Sequence, residues 1–469
     1  MSGTTFPVVM KFGGTSVGDV AAFERVCGIV ANQLDRKPVV VTSAMTKVTD
    51  ALLAAFEMAR RDRLEDAVAS LEPHFERHVE ITEAFFPSDA ENVFHNELRL
   101  ARQEIKDLLT RAARRSLPLQ MLKDAIVSYG EQLSSRLLAE ALKSKGIRAR
   151  TVDSRRLIVT DDEFGAAQPI IDETNELVKI ELTPLIEDGE VPVLGGFIAA
   201  NRGGETTTLG RGGSDYSAAI VAAALGAAEL QIWTDVTGVM TCDPRVCSDA
   251  ATVPVLSYEE AAELAYFGAK VLHPKTIKPA VDSAIPVRVC NTSEPELTGT
   301  MVLADSGEVP NKIKSIAHKS NISILRITSA RMLGAYGFMS AVFQVFDRHR
   351  TVIDVISTSE VSVALTLDKP DNIDKVVEDL SRIGEVEVEG GYAVICVVGE
   401  GLRASTGLAA KIFNTISDVH VELVSHGASA VNLTFVVRES DAAAVIGKLH
   451  KAFFSEKVNA KSESCDLTK

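Results

Sequence analysis

Short apolar runs alternate with longer amphipathic segments over the first two thirds of the chain. Strands are predicted at 6–12, 38–42, 147–152, 157–159, 191–197, 229–233 and 285–290, and the first two contain short apolar runs rich in valine that indicate buried strands. A strand buried on both faces has this continuous apolar pattern, and helices between such strands form crossover connections. The pattern predicts an α/β domain with a mainly parallel sheet.

Helical periodicity fills the intervals between these strands. It predicts helices at 20–33, 52–115, 216–225 and 257–267, with another beginning at 128. The segment 52–115 is long and polar and contains His74 and His78, whose spacing places two imidazoles on one helix face. Such a pair could bind a metal, but no third ligand is evident. We interpret the pair as part of a solvated face.

The pattern changes after residue 300. Polar connecting segments at 295–300 and 306–310 are followed by two weak repeats of about 70 residues, each reading β-α-β-β-α. Strands are predicted at 322–328, 352–357, 361–367, 392–398, 419–424 and 431–437, with helices at 339–348, 373–383, 408–416 and 442–454. These repeats indicate paired ferredoxin-like modules. We expect a domain at 1–300, a linker at 301–319, and modules at 320–390 and 391–469, the second ending in a polar tail.

Composition narrows the class of protein. A chain of 469 residues exceeds one ordinary core, so several domains are expected. The net charge of −15 argues against nucleic acid or an anionic membrane as the main partner. The six cysteines are scattered without CxxC spacing, which predicts free thiols in a reducing compartment and no metal site. Since no signal peptide or transmembrane-length apolar run is evident, a cytoplasmic location is expected.

Candidate chemistry is concentrated in a glycine-rich stretch at 204–215. It contains three successive threonines, Arg211 and Asp215, and it leads into the helix predicted at 216–225. Glycines allow the backbone to approach a ligand, and a helix N-terminus favours anions. The threonine hydroxyls would add hydrogen-bond donors. The stretch predicts an anion site, and the alternative is a flexible surface linker.

A second glycine turn follows the first predicted strand. Lys11 lies at the end of that strand, and Gly13 and Gly14 open a turn into a helix. Strand, glycine turn and helix form a phosphate-binding layout, although neither a Walker A nor a GxGxxG pattern is present. An ordinary turn beside a lysine that reaches solvent explains the same residues.

Polar residues follow other predicted strands as well. Ser43 and Thr49 come after the strand at 38–42, and Thr234 and Asp235 after the strand at 229–233, with Arg245 in a nearby turn. Ligands in α/β sheets bind at the carboxyl ends of strands, which favours contact with a substrate or nucleotide. Helix capping and turn formation explain the same residue types.

Six ordered motifs resemble those of one enzyme family. They are KFGGTSVGD at 11–19, VTSAMTKVTDALL at 41–53, SYGEQLSS at 128–135, TTTLGRGGSDYSAA at 206–219, WTDVTGVMTCDPR at 233–245 and FGAKVLHPKT at 267–276. Together they resemble aspartate kinases of the amino-acid kinase family, and the C-terminal modules resemble ACT regulatory domains. The resemblance implies a three-layer αβα kinase fold and ATP-dependent phosphorylation of the L-aspartate side chain, the first step towards lysine, threonine and methionine.

The resemblance also assigns roles to individual residues. Lys11 contacts the transferred phosphoryl group and Asp215 lies beside the reacting centre. The residues implied to bind aspartate are Ser43, Thr49, Glu131 and Arg211. Those implied to bind ATP, used with Mg²⁺, are Gly13, Gly14, Thr234, Asp235, Met240, Arg245, Lys270 and Val271. Some relatives carry tyrosine where this chain has Met240, although a thioether can still pack on adenine.

Regulation by an amino acid, lysine or threonine or both, follows from the resemblance as an expectation. The residues implied to line an effector site are Met332, Phe338, Met339, Ile353, Asp354 and Glu360. Gly334 and Ala335 stand where relatives carry polar residues, which leaves the effector open. A homodimer or homotetramer joined through ACT modules is expected. The alternatives are a related kinase acting on glutamate, acetylglutamate or a nucleoside monophosphate, and a sensor without turnover.

Overall fold

The computed structural model describes residues 6–86, 93–268, 272–304, 313–334, 336–368 and 372–454. The chain divides into two compact units, of which the first comprises Met1–Val239 and Val271–Ser306 and the second comprises Met240–Lys270 and Gly307–Lys469. Residues 240–270, expected inside the first domain, thus group with the second unit. The finer domain limits at 320–390 and 391–469 stay predictions.

Buried strands form the centre of the first unit. Up to residue 304 the strands are β1 Val8–Phe12, β2 Pro38–Thr42, β3 Ala149–Val152, β4 Val159–Thr160, β5 Val191–Gly195, β6 Ile198–Asn201, β7 Thr206–Thr208, β8 Glu229–Thr234, β9 Val255–Ser257, β10 Val287–Asn291 and β11 Thr300–Leu303. Within this unit the large sheet has the order β3-β5-β2-β1-β8-β10-β11. Its pairs are parallel except β10 with β11. The mainly parallel sheet is confirmed.

Helices connect these strands. They are α1 Val20–Ala31, α2 Val48–Ala59, α3 Leu64–Ala69, α4 Glu72–Phe85, α5 Val93–Arg114, α6 Leu119–Val127, α7 Tyr129–Ser144, α8 Ile171–Glu187, α9 Gly213–Leu225, α10 Tyr258–Tyr266 and α11 Pro274–Asp282. The region predicted as helical at 52–115 contains separate helices, α2 to α5, rather than one continuous helix. None of the helices in the described ranges has the length and apolar character needed to cross a membrane.

The solvated face predicted for His74 and His78 is wrong. The His78 side chain is buried, its ring stacks on Phe94, and its Nδ1 lies 2.7 Å from the carbonyl oxygen of His74. Burial lowers the pKa of His78 to about 4, so the ring is neutral at physiological pH. His78 therefore belongs to the helical core, whereas His74 is half-buried.

A small sheet stands beside the large one in the first unit and corrects a second expectation. Its order is β4-β6-β7, and β7 consists of the three threonines predicted to offer hydroxyls to a ligand. Thr207 and Thr208 are buried, and the Thr207 hydroxyl lies 2.7 Å from that of Thr160. The Thr207 hydroxyl therefore stabilises this sheet, and the glycine loop begins after Thr208.

The second unit contains two β-α-β-β-α cycles, as predicted. Besides β9 and α10, its strands are β12 Ile313–Thr328, β13 Ile353–Thr358, β14 Ser362–Asp368, β15 Glu385–Gly399, β16 Leu423–His426 and β17 Asn432–Arg438. Its other helices are α12 Phe338–Arg348, α13 Ile373–Leu380, α14 Leu408–Thr415 and α15 Glu439–Phe454. The strands form one antiparallel sheet in the order β13-β14-β12-β15-β17-β16. Residues 313–319, expected to be linker, are the start of β12.

Candidate active site

A cavity of about 350 Å³ lies in the first unit, where the ends of β1 and β2 approach the start of α9. Its lining combines cations, acids, hydroxyls and glycines, and comprises Lys11, Ser43, Thr49, Glu131, Phe197, Gly210, Arg211, Gly212, Gly213, Ser214 and Asp215. The residues expected to contact aspartate and the phosphoryl group therefore share one cavity. Because β1 and β2 are parallel neighbours, their carboxyl ends reach the same edge of the sheet.

Lys11 and Asp215 form an ion pair inside this cavity. Lys11 Nζ lies 2.6 Å from Asp215 Oδ1, and the two side chains are 12% and 17% exposed. Lys11 projects from the buried strand β1, whereas Asp215 lies in the first turn of α9. An ion pair this sheltered is screened less than a surface pair, so Asp215 fixes the position of the ammonium group.

The glycine turn after β1 is held tightly to its neighbours. The Gly13 N–H donates to the carbonyl of Trp233 at 3.1 Å, so in this structure that amide does not face an anion. A Cβ atom on Gly13 would lie 3.7 Å from Lys11 Nζ, whereas a Cβ atom on Gly14 would lie 2.8 Å from the carbonyl oxygen of Ala44. Only glycine fits at position 14, and glycine at position 13 leaves space beside the ammonium group of Lys11.

Arg211 and Asp215 flank the start of α9. Arg211 immediately precedes the N-cap residue, and Asp215 lies in the first turn of the helix. Gly212, the N-cap of α9, has φ of 73°, a left-handed conformation that glycine adopts without strain. Arg211 is exposed at the cavity, and no hydrogen bond or ion pair joins it to another described residue. Its guanidinium group is therefore available for a carboxylate or phosphate.

Glu131 is the most unusual acid of the cavity. Its side chain is 3% exposed, and Oε2 has no hydrogen-bond partner among the described residues. Burial raises the pKa of Glu131 to about 8, although a hydrogen bond from the backbone of Ala44 acts in the opposite direction. A buried carboxyl group with one unpartnered oxygen can accept a cationic ligand, because a bound cation would compensate its ionisation.

Phe197 is a lining residue that sequence reasoning missed. It was expected at the end of a strand, but β5 ends at Gly195 and Phe197 has φ of 66°. Its N–H donates to the hydroxyl of Ser217 at 2.9 Å. A Cβ atom on Gly196 would lie 2.7 Å from Ser214 Cα, so a bare glycine lets this turn meet α9. The Gly195-Gly196 pair was the available signal for the turn.

Asp124 supports the glycine loop, and the sequence did not predict this role. Its Oδ2 accepts the backbone N–H groups of Gly165 at 2.7 Å and Thr208 at 3.0 Å. The side chain is buried in α6, and burial raises its pKa to about 6. Asp124 thereby holds β7, which leads directly into Gly210 and Arg211. No local sequence signal distinguishes this acid from other helical acids.

The structure describes only some of the residues expected to bind the nucleotide. Thr234 ends β8, and its hydroxyl donates to Asp235 Oδ1 at 3.1 Å. In the second unit, Arg245 is 88% exposed and lies 2.7 Å from Asp243. The Met240 carbonyl accepts a hydrogen bond from Ser315 at 2.7 Å. Lys270 and Val271 lie outside the described residues, and the nucleotide roles of all six residues stay predictions.

The residues expected to line an effector site lie in the second unit. Phe338 is buried in the core of the first β-α-β-β-α module, and Met332, Met339 and Ile353 pack against that core, whereas Glu360 is exposed. Asp354 already pairs with Lys319 Nζ at 3.0 Å, and it accepts a hydrogen bond from Tyr266 at 2.6 Å. Asp354 is therefore already occupied by Lys319 and Tyr266, and its role at an effector site stays a prediction.

Family models match both parts of the chain. The model described as the amino acid kinase family matches residues 7–291, and an ACT domain model matches residues 395–453. The lysine-sensitive aspartokinase 3 of Escherichia coli is 37% identical over 457 residues, which cover 95% of this chain and 99% of that protein.

Solved structures agree with this assignment. The chain is similar to E. coli aspartokinase III in complex with aspartate and ADP in the R-state, with a TM-score of 0.79, 37% identity and coverage of 96% and 100% of the two chains. It is also similar to the lysine and aspartate complex in the T-state, with a TM-score of 0.82, 38% identity and coverage of 96% and 99%. The chain therefore belongs to the amino-acid kinase family and, within it, to the aspartokinases, ATP-dependent phosphotransferases with C-terminal ACT domains.

Proposed function

We propose that the cavity around Lys11 is where this aspartokinase binds L-aspartate and transfers the γ-phosphoryl group of ATP to its side-chain carboxylate. The observation that carries the proposal is that Glu131 and Arg211 line one cavity. Glu131 Oε2 and the Arg211 guanidinium group have no partner among the described residues, so both can bind a ligand. Arg211 binds the α-carboxylate of the substrate, where its planar fork can make two hydrogen bonds. Glu131 binds the α-ammonium group, which distinguishes an amino acid from a simple dicarboxylate.

Ser43 and Thr49 complete the amino-acid site. Both line the cavity, and the structure does not use Thr49 as the expected helix cap, because the N-cap of α2 is Lys47. Their hydroxyl groups contact the substrate carboxylates. The solved complex of E. coli aspartokinase III with aspartate and ADP supports this choice of substrate and nucleotide.

The reaction needs no general base. The side-chain carboxylate of aspartate has a free pKa of about 4 and is ionised at neutral pH. The difficulty is to bring this anion onto a phosphate, and Lys11 reduces it by placing a positive charge between the two. Asp215 acts as a positioning residue, since its carboxylate holds the Lys11 ammonium group at 2.6 Å.

The residues present also fit a magnesium nucleotide. Mg²⁺ prefers carboxylate oxygens, and Asp215 offers Oδ2 on the carboxylate that holds Lys11 through Oδ1. Bound Mg²⁺ would neutralise phosphate charge as the phosphoryl group is transferred. Lys11 and the space left by Gly13 bind the phosphates, while Thr234, Asp235, Met240, Arg245, Lys270 and Val271 bind the rest of the nucleotide. The loop around Arg211 then separates aspartate from ATP.

An ADP-release assay tests this assignment directly. We expect turnover with L-aspartate and Mg-ATP, and no more than background with glutamate, N-acetylglutamate or no acceptor. Hydroxylamine should convert the acyl phosphate to a hydroxamate only in the aspartate reaction. Preference for glutamate, or ADP release that does not depend on the acceptor, would overturn the substrate assignment.

We further propose lysine as an inhibitor that binds near Asp354. The solved complex of E. coli aspartokinase III with lysine supports this choice. Asp354 pairs with the ammonium group of Lys319, and the ammonium group of a lysine effector would replace it there. Lysine should inhibit the wild type, and Asp354→Asn should raise the inhibitory concentration about 10-fold or more, within the usual range of allosteric coupling. The control Asp374→Asn changes an exposed acid on α13 and should leave inhibition unchanged.

Other outcomes of the inhibition assay are equally informative. Inhibition by threonine alone would reassign the effector, and no response to either amino acid would remove the sensor role. Met332, Phe338, Met339, Ile353 and Glu360 would line the same site. A homodimer or homotetramer joined through ACT modules, measurable by light scattering, and a cytoplasmic location stay predictions.

A further inference from the structure

Three side chains of types that can bind a metal meet in the second unit, and none of them lines the Lys11 cavity. The sulfur atoms of Cys242 and Cys247 and a ring nitrogen of His450 lie within 4.8 Å of one another. The three residues are 3%, 5% and 3% exposed. Ligands of a tetrahedral metal lie slightly closer together than this, so only a small contraction would be needed.

The local backbone brings the two cysteines to one side of a turn. The N–H groups of Val246 and Cys247 donate to the carbonyl of Asp243 at 2.9 and 3.0 Å, which folds residues 242–247 back on themselves. Cys242 and Cys247 are both free thiols. Burial raises the pKa of both thiols, so without a metal they are protonated and unreactive.

His450 is oriented towards this turn from α15. The hydroxyl of Thr241 lies 2.9 Å from His450 Nε2, and the same hydroxyl accepts the N–H of Ala251 at 3.0 Å. The ring also stacks on Phe454, with centroids 4.8 Å apart. If the Thr241 hydroxyl accepts a hydrogen bond from Nε2–H, then Nδ1 keeps the lone pair that can bind a metal. Metal-binding histidines usually donate their other ring N–H to such an acceptor.

A fourth ligand is within reach of that nitrogen. Asp249 Oδ1 lies 3.4 Å from His450 Nδ1, and the Asp249 side chain is 60% exposed. We propose that Cys242, Cys247, His450 Nδ1 and Asp249 bind one zinc ion. Two thiolates, an imidazole and a carboxylate form a donor set that suits tetrahedral Zn²⁺, and four protein ligands leave no open position, so the site is structural.

Zinc would join the 242–249 turn to the last described helix of the chain. In the metal-free state the turn and α15 are connected by Thr241, His450 and apolar packing, in which the cysteines behave as small hydrophobic residues. Metal binding would deprotonate both thiols and add folding free energy. This proposal does not depend on the substrate of the enzyme, and it departs from the sequence-based expectation of no metal site.

The test uses the full chain without a histidine tag, in a Cys465→Ser background, because Cys465 lies outside the described residues. Reduced and chelator-treated protein is titrated with Zn²⁺ against a chromophoric chelator, and with Co²⁺ in an optical titration. We expect one zinc per chain, a rise in melting temperature on Zn²⁺ addition, and a Co²⁺ spectrum with thiolate charge-transfer and tetrahedral bands.

Matched variants locate the site. Cys247→Ala should weaken Zn²⁺ binding about 100-fold or more, since even outer-shell partners are worth about 10- to 100-fold. Cys396→Ala removes another buried thiol of the same unit and should leave binding unchanged. If Cys247→Ala fails to fold, the exposed ligand change Asp249→Asn should still weaken binding about 10-fold or more and alter the Co²⁺ spectrum.

Several results would overturn the proposal. One is binding of less than one zinc ion per chain. A second is Zn²⁺ affinity that is equally weak in the wild type and in Asp249→Asn. Another is a loss of binding in Cys396→Ala equal to that in Cys247→Ala, or a Co²⁺ spectrum without thiolate bands. A Cys242–Cys247 disulfide in protein isolated without reductant and resistant to Zn²⁺ would assign the cluster to thiol oxidation instead.

Discussion

Lys11 Nζ and Asp215 Oδ1 are 2.6 Å apart although the two residues come from different elements, a strand at the centre of the sheet and the first turn of a helix. The pair joins the predicted phosphate turn to the predicted substrate loop. It therefore fixes a positive charge at the boundary between the two proposed ligands, which is where negative charge must be neutralised during phosphoryl transfer.

Replacing Lys11 should affect turnover. Lys11→Ala is expected to lower kcat about 100- to 1000-fold, because it removes a charge that acts on the transferring phosphoryl group. Steady-state kinetics with aspartate and Mg-ATP measure the change. Lys143→Ala, which breaks an exposed pair with Glu140, is the control and should keep kcat. A near-normal kcat in Lys11→Ala would contradict the assigned role.

Replacing Arg211 should affect substrate binding. Arg211→Ala is expected to raise the KM for aspartate roughly 10- to 100-fold with a smaller effect on kcat, because a charge-assisted hydrogen bond is lost in both ground and transition states. Arg202→Ala, in an exposed pair with Glu173, provides the matched surface control. If Arg211→Ala lowered kcat and left the KM unchanged, the arginine would act on the phosphoryl group instead.

Aspartate binding should release a proton at neutral pH. Burial raises the pKa of Glu131 to about 8, so about nine in ten molecules are protonated there at pH 7. The substrate ammonium group favours the ionised carboxylate and lowers this pKa. Binding should therefore release close to one proton at pH 7 and very little at pH 9, and the apparent affinity should rise as pH increases towards 8.

Calorimetry in two buffers of different ionisation enthalpy measures this proton. Glu131→Gln should bind aspartate more weakly and release no proton at either pH. The exposed control Glu65→Gln should behave like the wild type. Equal proton release at pH 7 and pH 9, or release that persists in Glu131→Gln, would show that another group titrates.

Asp124 should matter for stability and for the loop it holds. Asp124→Ala leaves two N–H groups, those of Gly165 and Thr208, without their acceptor, and we expect a loss of about 1–3 kcal/mol of unfolding free energy. Because β7 leads to Arg211, the KM for aspartate should rise as well. Urea unfolding and kinetics measure both effects, with the exposed Asp107→Ala as control. Unchanged stability would refute the supporting role.

The sequence alone determined most of the elements and the chemistry at the strand ends. Apolar runs predicted β1 and β2, and the glycines and hydroxyl residues after them predicted the edge of the sheet at which ligands bind. These features are local, because strand burial and turn formation depend mainly on residues a few positions apart. The repeated β-α-β-β-α pattern predicted the C-terminal modules for the same reason.

Tertiary structure decided which of these groups are buried, paired or available. It enclosed Glu131 and left one carboxylate oxygen unpartnered, it placed the hydroxyl of Thr207 in a small sheet, and it enclosed His78 in a helical core. It also brought Cys242 and Cys247 to His450, whose position in another element no spacing rule reveals. Burial and pairing depend on residues far apart in the chain, so a local pattern can identify a side chain but not its environment.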